Sequence, residues 1–208
     1  MKFIRSGVML LLLAGGILSF AAARQAQDSL RPKPGNPGLR SELLAMRDRD
    51  QGIRNEWIRR MSAKSVDSAF VVQMNALDRT NTQRIKAIIR EFGWPGTSLV
   101  GQDGAEAAFL IVQHSPDTSF QKSCLPLLTA AFKSGEVSGQ DLALLTDRVL
   151  VREGKPQLYG SQAKLVGGRL ILDPIEDQAN VDKRRASLGL PPLSEYLEFL
   201  KQLYHLKD

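Results

Sequence analysis

Through most of the chain, hydrophobic residues recur at three- and four-residue steps, the spacing that lines up one face of a helix. Leu43, Met46, Ile53, Trp57 and Met61 predict a long helix over residues 39–61, and Ile85, Ile88, Ile89 and Phe92 predict a second over 79–92 that ends at Gly93. Residues 63–72 between them fit neither pattern. Gly93-Trp94-Pro95-Gly96 and Gly101 read as a connecting loop, because proline stops helices and glycine permits tight turns. Further helices are expected over 104–114, 117–133 and 139–151. Beyond Gly154 the period changes, and residues 157–166 and 169–172, joined by Gly167-Gly168, predict a β-hairpin with a two-residue turn. Residues 177–187 read as helix again. A last helix is expected over 194–206, capped by Ser194 and facing inward through Tyr196, Leu197, Leu200 and Tyr204. The expected fold is mainly α: a helical bundle-like single domain over residues 39–208, with one small antiparallel β-hairpin near the C-terminal third.

Two of these helices lack a polar face. On a wheel of about 100° per residue, Leu142, Ala143, Leu144, Leu145, Val149, Leu150 and Val151 fall on every side, as do Ala105, Ala107, Ala108, Phe109, Leu110, Ile111 and Val112. A helix that is apolar all round is a buried helix, so Asp147 and Arg148 on one, and Gln113 and His114 at the end of the other, are expected inside. Ionised groups removed from water cost several kcal/mol each unless paired, so they require partners. At the C-terminal end of its helix His114 is pulled toward protonation by the dipole and away from it by burial, which leaves its charge open. On the first helix Asp50 interrupts the apolar stripe. It either pairs with Arg54 one turn on, or one of the two reaches across to Asp147 and Arg148. If residues 157–162 are a strand, Gln157, Tyr159 and Ser161 share a face.

The N-terminus changes the picture of where the protein works. Lys2 and Arg5 precede an apolar run from Val8 to Phe20 and then Ala21-Ala22-Ala23. This is the layout of a secretory signal over residues 1–23, with cleavage after Ala23 and an exported, periplasmic or secreted product; an uncleaved anchor is the competing reading. Residues 24–38, rich in proline and glycine, read as a flexible linker. Loss of Lys2 and Arg5 reduces the formal charge from +6 to +4, and the basic residues are interleaved with acidic ones, so no nucleic-acid partner is expected. No stable membrane span is expected after signal cleavage. Cys124 is the only cysteine, which excludes an intramolecular disulfide, and its apolar surroundings suit a small buried hydrophobe.

Several strings taken in order carry a resemblance: Gly93-Trp94-Pro95, Gln113-His114 followed by Asp117, Phe120-Gln121, Leu145-Thr146-Asp147-Arg148, Gln157-Leu158-Tyr159-Gly160-Ser161-Gln162, and Leu188-Gly189-Leu190 before Tyr196. Together they resemble a family of bacterial proteins known as domain of unknown function 6624, over roughly residues 48–200. The resemblance implies a bacterial source and no particular reaction, substrate or catalytic residue. Ser161 stands where it implies threonine.

Two functions of different class fit. In one, the polar residues form a buried network serving as a structural or ligand-binding core for an unknown small molecule or protein. In the other, the chain is a metal-independent extracytoplasmic hydrolase or transferase in which His114 moves a proton, Asp147 orients it and Arg148 clamps an anion. Gln113, Gln121, Gln157, Tyr159 and Gln162 are the candidate ligand-binding residues. The chain has no His-Glu-x-x-His, Gly-x-Ser-x-Gly, P-loop or dinucleotide motif, so no cofactor is expected. With His114 and His205 its only histidines, a histidine-rich metal site is excluded and no metal site is assigned, although a purely carboxylate one stays open.

Overall fold

The computed structural model describes residues 34–63, 65–166 and 169–203. The expected signal, most of the linker, the Gly167-Gly168 turn, Tyr204 and His205 lie outside them. Helix α1 spans Pro37–Ser62, α2 Ser68–Phe92, α3 Thr97–His114, α4 Thr118–Lys133 and α5 Gly139–Arg152. Strands β1 (Ala163–Val166) and β2 (Arg169–Leu172) follow, and then a 3-10 turn at Gln178–Asn180, α6 (Val181–Ser187) and α7 (Leu193–Leu203). The chain is mainly helical with one small hairpin. Among the described residues no helix is long and apolar enough to cross a membrane.

Helix starts depart from the sequence reading where a side chain outside the apolar pattern satisfies the first N–H groups. Asn36 accepts from the Leu39 N–H at 3.0 Å, with Pro37 in the first turn. The linker's last residues are therefore docked, and Gly35 and Asn36 donate their N–H groups to the carbonyls of Ser98 and Leu99. Helix α2 begins eleven positions earlier than its apolar stripe suggests, because Asp67 accepts from the Phe70 N–H at 2.7 Å. Helix α3 begins at Thr97, and Gly101 is a kink within it at φ +74° rather than part of a loop. Helix α7 begins at Leu193, whose N–H donates to Asp182 at 2.7 Å. Ser194 thus lies inside the first turn and is not the cap.

The chain divides into two compact units, the first holding α1–α4 and the second everything from Gly139 onward. In the first unit α3 is the central element: from Gly104 to Gln113 all but Glu106 are buried. Helices α1 and α2 both pack on α3. Leu43 of α1, Ile85 and Ile88 of α2 and Val112 of α3 are fully enclosed, each a burial that stabilises by about 1.5–3 kcal/mol. In the second unit α5 buries Leu142–Leu145 and Asp147–Val149, as a helix without a polar face should. Strands β1 and β2 pair antiparallel, Ala163 opposite Leu172 and Val166 opposite Arg169. The expected strand over 157–166 is much shorter. Residues 158–162 form a loop outside any ladder, and Gln157 makes only an isolated parallel bridge with Ile175.

Candidate functional site

His114, the last residue of α3, meets two groups from α1. Asp50 Oδ2 lies 2.7 Å and Arg54 Nε 2.8 Å from its Nδ1. Arg54 also donates to both Asp50 oxygens, at 3.2 and 3.1 Å, and to Asp78 Oδ1 of α2 at 2.6 Å. The cluster is shielded, with side-chain exposures of 1% for Asp50, 7% for His114, 12% for Asp78 and 17% for Arg54. The pairing of Asp50 with Arg54 along one helix is present, and the arginine adds a bridge to a carboxylate on another. The cation between these two acids is the protein's own guanidinium, a planar fork suited to holding both.

One ring nitrogen cannot donate to Asp50 and accept from Arg54 at once. Burial alone would raise the Asp50 carboxyl, but the His114 hydrogen bond and charge and the Arg54 guanidinium hold it below the usual carboxylate range. Asp50 is therefore an ionised acceptor, so the proton belongs on Nδ1 and points to Asp50, while the Arg54 Nε–H turns to the same carboxylate. That proton sits on Nδ1 whether or not the ring carries a second one on Nε2.

Around this cluster the first unit is tied by further polar contacts. Thr82 donates to the Asp78 carbonyl at 2.7 Å and meets the Ser115 hydroxyl at 3.0 Å. Asp117 caps α4 and pairs with Lys86 at 2.5 Å, which holds its carboxyl below the usual range. Gln121, fully buried, donates its amide protons to the Val112 and Gln113 carbonyls at 2.9 and 3.0 Å, satisfying the orphan acceptors at the end of α3. Gln113 is likewise fully buried. Burial pushes the Cys124 thiol up to about 12, which leaves it an inert thiol at neutral pH.

In the second unit Asp147 has partners of another kind. Its carboxylate accepts from the backbone N–H groups of Leu158 at 2.7 Å, Tyr159 at 3.1 Å and Ser161 at 2.9 Å. Gly160, at φ +70°, lets those N–H groups converge, and a Cβ there would meet Leu193 at 2.7 Å. Carbonyls of the same loop are taken by α6: Arg184 Nε donates to Leu158 at 2.8 Å and Arg185 Nη1 to Tyr159 at 2.7 Å. Burial pushes the Asp147 carboxyl up, against the opposing pull of the three N–H groups. Burial also raises the Tyr159 phenol, with the nearby Asp147 charge adding to it. Arg148, beside Asp147 on α5, is 4% exposed.

The amide side chains of this unit bind backbone. Gln157 donates to the Gln162 and Asp173 carbonyls at 2.8 and 2.7 Å and accepts from the Gln162 N–H at 2.7 Å, which uses both amide protons and engages its oxygen. Gln162 donates to the Leu144 carbonyl at 3.3 Å and meets the Ser161 hydroxyl at 3.1 Å. The structure thus groups His114 with Asp50, Arg54 and Asp78 in the first unit, and Asp147 with Gln157, the Tyr159 backbone and Gln162 in the second. The carboxylate at the His114 ring is Asp50. Asp78 escaped the sequence reading because it sits in the stretch of α2 that precedes the apolar stripe; its one signal was the Asp67 cap that starts the helix before it.

No curated protein and no solved structure matches the chain. A family model described as a family of unknown function (DUF6624) matches residues 37–208. The match begins on the first residue of α1 and takes in the His114 cluster and the Asp147 loop alike. The protein therefore belongs to that family of unknown function, DUF6624.

Proposed function

We propose that this is an exported protein, periplasmic or secreted, whose buried cluster around His114 is a structural or ligand-binding core. Export is supported by the basic, apolar and small-residue pattern of residues 1–23. The core reading is carried by one observation: Arg54 joins Asp50 and Asp78 while Asp50 holds the His114 ring, so shielded charges on α1, α2 and α3 satisfy one another. A fully connected network of this kind sets how helices dock, since any other register strands a buried charge. Replacing His114 with alanine is expected to lower the urea unfolding free energy by about 1–3 kcal/mol. An unaltered denaturation midpoint would sink this reading.

The Asp50–His114 contact favours a second reading, a metal-independent hydrolase or transferase. A general base needs a lone pair on one nitrogen and an orienting acceptor at the other, and Asp50 beside Nδ1 supplies that arrangement at His114. Under this reading His114→Gln abolishes turnover of a model ester or phosphoester while the protein stays folded. Retained turnover in that variant excludes the role.

A further inference from the structure

Helices α1 and α2 also form a groove of about 690 Å³. Its apolar lining is Ile53, Phe70 and Leu77, and between them stand the small residues Gly52 and Ala76. At about 100° per residue Gly52 and Ala76 lie nearly opposite Asp50 and Asp78 on their helices, and none of the groove's lining residues belongs to the His114 cluster. The groove is thus a surface separate from the His114 cluster.

Two features point to an occupant. The first is Gly52, which sits mid-helix, where glycine costs about 1 kcal/mol relative to alanine. A Cβ built there meets nothing within 4 Å among the described residues, so their packing does not require the glycine. Its missing side chain leaves the α1 backbone open to a molecule that enters the groove. The second feature is the charge at the two ends. At one end Arg60 is held by Glu56 at 2.6 Å and Asp67 at 3.2 Å, with its guanidinium 4.4 Å from the centre of the Phe70 ring. At the other end Arg49 is exposed and makes no ion pair among the described residues. The acid that feels its charge, Glu42, is already held by the Arg84 guanidinium.

We propose that this groove binds a small amphipathic anion, a carboxylate with an unbranched apolar tail of medium length. The carboxylate meets Arg49, and the tail lies over Gly52 and Ala76 against Ile53 and Leu77 toward Phe70. A volume of 690 Å³ suits one small ligand, within the roughly 300–1,000 Å³ typical of such sites, rather than a docked partner helix.

The test is calorimetric titration of decanoate, below its micelle concentration, into the purified protein. Saturable binding is expected, weakened by roughly tenfold or more in Arg49→Gln, since a hydrogen bond to a charged group is lost. In Gly52→Leu it should be lost altogether, because the new side chain fills the space. Leucine is the better helix former, so that variant should melt no lower than the natural protein, which keeps a binding defect distinct from a folding defect. Absence of decanoate binding, equal binding by Gly52→Leu, or equal binding of decyltrimethylammonium would each overturn the proposal. Binding of an acidic amphipathic peptide in place of decanoate would also overturn it and assign the groove to a macromolecular partner.

Discussion

Asp50 in the first unit and Asp147 in the second are both fully buried on helices, yet their carboxyls shift in opposite directions. Burial raises each of them. Asp50 faces the His114 ring and the Arg54 guanidinium, whose hydrogen bonds and charge outweigh desolvation. Asp147 is met by backbone N–H groups of Ser161, Leu158 and Tyr159, and desolvation wins. Equal burial therefore does not set equal chemistry: what decides is whether the compensating partner carries a formal charge or only a dipole. The two acids also organise different things. Asp50 joins side chains on separate helices, whereas Asp147 shapes a loop close by in sequence that has no ladder of its own.

The sharpest way to break this comparison is Asp147→Ala. It leaves the N–H groups of three loop residues without their acceptor and should cost about 3–5 kcal/mol in urea denaturation. A loss below about 1 kcal/mol would show that the loop does not depend on the carboxylate. Asp50→Asn should cost less, about 2–3 kcal/mol, because Arg54 keeps Asp78 and the amide still offers an oxygen. If it cost more than Asp147→Ala, charged partners and not backbone donors would carry the larger share.

The smallest effect is the pH dependence, where the two acids act with opposite sign. A depressed carboxyl stabilises the fold above the unfolded value of about 3.9, and that stability drains as pH falls through the lower folded value. A raised carboxyl contributes below about 3.9 and loses its contribution as pH rises through the higher folded value. Unfolding free energy measured against pH should therefore fall less steeply on acidification in Asp50→Asn than in the natural protein, and more steeply in Asp147→Asn. Slopes that change in the same direction would mean the two environments are alike after all.

Much of the fold was legible locally. Apolar residues all round α3 and α5 marked both as buried, and with them Asp147, Arg148 and Gln113. The hairpin was legible from its change of period, but its first strand was overextended: Gln157, Tyr159 and Ser161 alternate like a strand, yet the N–H groups of Tyr159 and Ser161 go to Asp147, that of Gln162 to the Gln157 side-chain amide, and that of Gln157 to the Pro174 carbonyl. The pairing of Asp50 with Arg54 was one of two readings left open by a four-residue spacing, and the spacing had no way to name His114 or Asp78 as the further partners. Within the first unit, Gln121 read as a ligand contact and in the fold serves the carbonyls that end α3.

By itself the sequence determined which segments are helical, which helices are enclosed and therefore which polar residues must find partners, because hydrophobic periodicity and the cost of burying charge are local properties. It also carried the signal-like N-terminus and the family resemblance. Only the tertiary structure decided which partner each buried group takes. That choice depends on helix starts set by single capping side chains and on distances between residues as far apart as Asp50 and His114, which no spacing along the chain records.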